Sequence, residues 1–188
     1  MTSILICFQY KSILIIMTRY FLISSKHNLT IISFLALGIA SILLLIPHHL
    51  NYAYSESYYF IKSKLNGMVL DIRGADPFAG AFVQTWPANG NNNQLWTITS
   101  DGFIKSKLNG MVLDIRGADP FAGAFVQTWP ANGNNNQLWT ITSDGFIKSK
   151  LNGMVLDIRG ADPFAGAFVQ TWTQNNNLNQ QWILEKKE

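Results

Sequence analysis

The chain has 188 residues, 48% of them apolar and 13% charged, with a formal net charge of +3 and a single cysteine. Lys11, Arg19 and Lys26 are the only charged residues before Glu56 and account for that excess, whereas from Glu56 onward eleven Lys and Arg face eleven Asp and Glu. A neutral domain without a clustered basic face excludes a nucleic-acid binder, which must neutralise phosphates, and the lone Cys7 excludes a disulfide framework.

Residues 1–55 read as an N-terminal signal or anchor segment. Leu29 to Ile46 is uncharged, follows Arg19 and Lys26, and ends at Pro47, which predicts a hydrophobic helix: a membrane span or the long apolar core of a signal peptide. Ala53-Tyr54-Ser55 places small residues three and one positions before a cut after Ser55 and favours a cleaved signal; an uncleaved anchor through residues 29–46 is the alternative. Ile4 to Met17 is also apolar but is interrupted by Gln9 and Lys11. Met17 is an alternative start that would leave Thr18 to Asn28 as a basic region directly before the apolar core. Basic residues before the span and almost none just after it put residues 56–188 outside the cytoplasm, secreted or membrane-anchored, unless two spans are present.

Residues 60–102 recur unchanged at 103–145, and a third copy, 146–188, stays identical through Trp172, a period of 43 residues. A period of this size marks one supersecondary unit repeated around or along an axis. Four extended stretches make up the first copy: Tyr59 to Lys64, Met68 to Ile72, Ala81 to Trp86 and Leu95 to Ser100. Between them lie Asn66-Gly67, the Gly74 to Gly80 segment with Asp76-Pro77, the Pro87 to Asn93 segment, and Asp101-Gly102. Asn-Gly and Asp-Gly favour tight hairpins because both positions tolerate positive φ, and no stretch of the repeat favours a helix. Three four-stranded units predict an all-β domain over 56–188, a β-trefoil whose barrel closure removes exposed strand edges. A propeller is the alternative, disfavoured because blades usually number four to eight and the Trp-Asp signature is absent.

The fourth stretch opens with Gln94-Leu95-Trp96, repeated as Gln137-Leu138-Trp139 and Gln180-Gln181-Trp182. Together with Leu70-Asp71-Ile72, Gln84-Thr85-Trp86 and Asn93 at matching spacing in every copy, the pattern resembles the ricin B-type lectin family of β-trefoils across all three units. On the residues alone, Trp96, Trp139 and Trp182 read as packing, Trp86 as either core or exposed platform, and Asp71 as either a ligand or a turn acceptor before Gly74. A pyranose presents a C–H face that lies on an aromatic ring and hydroxyls that need oriented acceptors and donors; a carboxylate accepts through two oxygens, and an amide both donates and accepts. The resemblance implies a sugar-stacking role for Trp86, Trp129 and Trp172 and hydroxyl-binding roles for Asp71, Asp114 and Asp157 and for Asn93, Asn136 and Asn179. It places Gln84, Gln127 and Gln170 beside the same pocket, giving up to three equivalent carbohydrate sites.

Gln94, Gln137 and Gln180 adjoin the site in sequence, but bonding to backbone between units is at least as strong an expectation. Asp76, before Pro77, reads as structural, and Phe78 either walls the pocket or packs. Val69 and Ala88 stand where many family members carry a cysteine pair, so the loops lack that clamp. The third copy has Thr173 to Leu178 where the first has Pro87 to Asn92, so its site is expected to differ in loop shape while keeping Asp157, Trp172 and Asn179.

From Glu56 to Glu188 there is no histidine or cysteine, and the repeat unit itself lacks glutamate. Ser-His and Cys-His triads and His- or Cys-liganded zinc are therefore excluded. A glycosidase built on Asp71 and Asp76 would need one raised pKa in each of three identical shallow sites, and nothing in the sequence is placed to raise it. The sequence thus points to a non-enzymatic protein without metal or cofactor, whose partners are galactose-type or related glycans and glycoconjugates. Membrane contact is expected only through an uncleaved N-terminal segment, and a separate catalytic or toxin subunit stays open. The alternative is a β-trefoil that serves as a protein-binding or inhibitory surface or as an inert symmetric scaffold.

Overall fold

The computed structural model describes residues 56–188; the expected hydrophobic helix and the cut after Ser55 lie outside the described residues. Short runs of β-branched and aromatic residues between glycine turns give twelve strands, four per lobe. The first lobe contributes β1 (Tyr59–Ser63), β2 (Val69–Ile72), β3 (Val83–Trp86) and β4 (Trp96–Ile98). The second contributes β5 (Ile104–Ser106), β6 (Val112–Ile115), β7 (Val126–Trp129) and β8 (Trp139–Ile141), and the third β9 (Ile147–Ser149), β10 (Val155–Ile158), β11 (Val169–Trp172) and β12 (Trp182–Lys186). Each lobe also holds two three-residue 3-10 turns, Arg73–Ala75 and Asn92–Gln94 in the first, which the sequence reading did not give. Gly67 and Gly102 take φ of 70° and 101°, as the Asn-Gly and Asp-Gly turns require.

Every strand pair is antiparallel. β12 pairs β1 over five residues, from Tyr59 opposite Lys186 to Ser63 opposite Trp182, so the last strand closes the barrel against the first. β1 also meets β4, β4 pairs β5, and β8 pairs β9. The Trp139 and Trp182 N–H groups donate to the Gly102 and Gly145 carbonyls at 2.8 Å, joining β8 and β12 to the turns that precede β5 and β9. The hairpins β2–β3, β6–β7 and β10–β11 are each four residue pairs long. Single bridges link them cyclically: Phe82 with Gln127, Phe125 with Gln170, and Phe168 with Gln84. This is the expected β-trefoil.

One core serves all three lobes. Ile61, Leu70, Ile72, Val83 and Trp96 meet their counterparts from the other two copies there. Trp96, Trp139 and Trp182 are buried, and each indole N–H donates at 3.0 Å to a backbone carbonyl, Leu70, Leu113 and Leu156 respectively. The Trp of the Gln-x-Trp motif is thus a packing residue with its one donor satisfied.

Thr85, Thr128 and Thr171 share this core-facing side and are fully buried, yet their hydroxyls have no hydrogen-bond partner among the described residues. A buried hydroxyl without a partner carries its desolvation cost uncompensated, about 1 to 3 kcal/mol. Thr85→Val keeps the branched shape and removes that group, and the backbone bonds of Thr85, from its N–H to Ala167 and to its carbonyl from Gly166, are untouched. The variant is expected to be about 1 kcal/mol more stable; a lower urea midpoint than that of the parent would refute the assignment.

Candidate functional site

Residues alternate between faces along β2 and β3. Leu70, Ile72, Val83 and Thr85 turn to the core, while Asp71 stands opposite Gln84, and Val69 opposite Trp86, on the other face. Asp71 is only 3% exposed. Its Oδ1 accepts from Gln84 Nε2 at 2.9 Å, and its Oδ2 accepts from Asn93 Nδ2 at 2.8 Å and Gln94 Nε2 at 3.0 Å. Asp114 and Asp157 collect the same three amides from Gln127, Asn136 and Gln137 and from Gln170, Asn179 and Gln180.

Two open readings are thereby resolved. Gln94 does not bond backbone between lobes. It donates to Asp71 and to the Pro87 carbonyl and accepts from the Asn89 N–H, tying the loop of its own lobe to the carboxylate. Asp71 accepts no backbone N–H, so it does not cap the turn before Gly74. Asp76 does hold a turn: its Oδ1 accepts from the Phe78 N–H at 2.9 Å.

A carboxylate offers about four lone-pair positions, and three are occupied here. Of these side chains, one position on Asp71, Asn93 Oδ1 and Gln84 Oε1 accept from no donor among the described residues. Contrary to the sequence expectation that nothing is placed to raise an aspartate here, burial pushes the Asp71 carboxyl above its ordinary pKa of 3.8, and the amide donors of Gln84, Gln94 and Asn93 pull it back down. Asp114 and Asp157 are raised for the same reason and opposed by their own three amides.

Asp71, Gln84, Trp86 and Asn93 line one open cleft of about 680 Å³, and their equivalents line two more of about 670 and 640 Å³. All twelve residues expected at the site are therefore brought together, four to a cleft. Trp86 is 41% exposed, unlike buried Trp96, so the two tryptophans of a lobe separate into one open to the cleft and one in the core.

The clefts are not built from single repeats. Ala165 and Gly166 of the third lobe wall the first cleft, Ala79 and Gly80 the second, and Ala122 and Gly123 the third. The Gly166 N–H donates to the Thr85 carbonyl at 2.8 Å, and a Cβ on Gly166, whose φ is +92°, would lie 3.7 Å from Trp86 Cζ3. Phe78 neither walls its own pocket nor packs: it is 75% exposed, and the two residues after it wall the cleft of the next lobe.

Sequence reasoning also missed Arg73, Gly74, Ala75, Asn89 and Asn91. The signal was Arg-Gly directly after Asp-Ile in every copy, and Asn89 and Asn91 kept as Asn175 and Asn177 in the divergent third copy. Asn176 there takes φ 64°, where Gly90 takes 80°. Asparagine is among the few residues that adopt this conformation readily, and the loop change leaves the Asp157 network intact.

Residues 57–182 match the family model described as the ricin-type beta-trefoil lectin domain. The chain belongs to this family. Among solved structures, the earthworm R-type lectin C-half in complex with GalNAc is 33% identical, with a TM-score of 0.62 over 70% of this chain and 99% of that one. The designed threefold-symmetric protein ThreeFoil is 30% identical, with a TM-score of 0.64 over 68% of this chain and 97% of that one. Beta-galactoside-specific lectin 2 of Viscum album is 51% identical over 39 residues, which are 20% of this chain and 7% of that lectin, so the match spans a small part of the relative. Family and fold both support carbohydrate binding and point to a non-catalytic protein.

Proposed function

We propose that the protein binds galactose-type or related glycans through three equivalent clefts and acts by multivalent glycan recognition without catalysis. The observation that carries this reading is the coincidence, in each cleft, of a half-exposed Trp ring with an acceptor set held in place by amides. The C–H face of a pyranose fits the ring, and hydroxyls fit the open positions on Asp71, Asn93 and Gln84. The basic-then-apolar order of residues 1–55 supports export, with the clefts displayed outside the cytoplasm.

One observation favours a scaffold instead: both oxygens of Asp71 already accept protein donors, so the network closes without a ligand. Titration with galactose or lactose while following Trp fluorescence separates the readings, alongside a glycan array. The expected result is a saturable change with a midpoint on the order of millimolar, about 4 kcal/mol per site, abolished by replacing Trp86, Trp129 and Trp172 together with Ala. Silence with every sugar would leave the scaffold.

A further inference from the structure

We propose that each cleft contains an oxyanion subsite at its arginine, Arg73, Arg116 or Arg159, which takes a sulfate ester or carboxylate carried by the glycan. The inference rests on the carbohydrate reading above and specifies its ligand class: acidic galactose-type saccharides over neutral ones.

Arg73 lines the same cleft as Asp71 and Trp86. Its guanidinium carbon sits 4.9 Å from the ring centroid of Phe168, which belongs to the neighbouring lobe, and Arg116 and Arg159 sit over Phe82 and Phe125 at 5.0 and 4.9 Å. The three phenylalanines in turn meet edge to face in a closed triangle, every pair of centroids 5.6 Å apart. Each arginine is therefore ordered by a ring that is itself fixed by two others, so less rotamer entropy is lost when a ligand engages it. A cation over a ring is also stabilised by the ring quadrupole.

Among the described residues, no carboxylate forms an ion pair with Arg73, Arg116 or Arg159. The one ion pair among the described residues joins Lys62 and Glu185, on the barrel seam. Arginine is always charged, and its planar fork matches sulfate and carboxylate through paired N–H donors. The neutral hydroxyls of a sugar are served by Asp71, Asn93 and Gln84 and need no permanent cation. Because the cleft has an anion at Asp71 and a cation at Arg73, it also orients its ligand: an acidic substituent is repelled from the first and held by the second.

The test compares methyl galactoside, its 6-sulfate and methyl galacturonide as ligands of the full chain, at low salt and at 0.5 M NaCl. The expected result is that at least one acidic ligand binds about tenfold more tightly than the neutral one, equivalent to about 1.4 kcal/mol. That preference should shrink at high salt, because an open cleft is screened. In the triple variant R73Q/R116Q/R159Q the acidic-to-neutral ratio should fall to about one, while R73K/R116K/R159K, which keeps the charge and loses the fork, should retain part of it. If the Gln variant does not fold, the wild-type ratio, its salt dependence and the Lys variant still decide. Equal affinity for acidic and neutral ligands in the wild type, or a preference that survives in the Gln variant, overturns the subsite alone. Failure of all three ligands to bind overturns the carbohydrate reading and the subsite with it.

Discussion

Asp71→Ala is expected to destabilise the protein by about 2 to 4 kcal/mol and to silence its own cleft. Hydrogen bonds to a charged group contribute about 1.5 to 3 kcal/mol each, and a buried donor left alone costs about 1 to 3. Three amides lose an acceptor, but the losses are unequal. Asn93 keeps the Ile72 carbonyl at 3.2 Å and Gln94 keeps that of Pro87 at 3.0 Å, whereas Gln84 Nε2 has no other partner among the described residues. Water entering the open cleft and the relief of a buried charge offset the remainder, which keeps the total near that of a single network bond. Urea denaturation with galactose titration measures both effects; a wild-type midpoint would show that the amides do not depend on the carboxylate.

Acid separates the two roles of this residue. The folded pKa of Asp71, Asp114 and Asp157 lies above 3.8, so in that window the folded protein holds protons that the unfolded chain has released. Stability from these groups therefore rises as the pH falls from neutral toward 4 and is lost as the pH rises through the folded value. Sugar binding through the ionised acceptor, as proposed above, should fall over the same window, so a pH titration should uncouple ligand release from unfolding.

Much of this was legible in the sequence because it is periodic. The 43-residue repeat and its glycine turns dictate three four-stranded units, and a strand alternates its faces, so Asp71, Gln84 and Trp86 had to share a side once β2 and β3 paired. What the repeat could not show is the relation between copies. Ala165 and Gly166 reach the first cleft only because β12 closes on β1 and the hairpins bridge in a ring. Arg73 was passed over because its role depends on Phe168, 95 positions away in sequence and adjacent only after closure. Thr85 looked like any strand threonine, since burial without a partner is a property of packing. The three amides gathered on Asp71 were equally hidden: Gln94 is as well spaced to bond backbone as to bond a carboxylate.

That network decides how multivalency must be tested. If each Asp→Ala substitution costs about 2 to 4 kcal/mol, two or three together approach the whole stability of an ordinary domain, about 5 to 15 kcal/mol, and lost binding would report unfolding. Trp86, Trp129 and Trp172 are the better probes: each is about two-fifths exposed at the end of a hairpin strand, so truncation removes the proposed sugar platform and opens little of the core. The double variant W86A/W129A should keep the monosaccharide affinity of its one remaining cleft. On a dense galactoside surface it should lose roughly 10² to 10⁴-fold, because linking sites on one rigid body makes the second binding event intramolecular. Surface biosensor and solution titration on the same preparation measure the two quantities. A fall in surface binding to about one third, as a mere count of sites would give, would show that the clefts act independently. The interlobe walls explain why rigidity can be assumed in that comparison: the first cleft borrows Gly166 from the third lobe through a 2.8 Å backbone bond to Thr85, so the spacing of the clefts is fixed by the same contacts that form them.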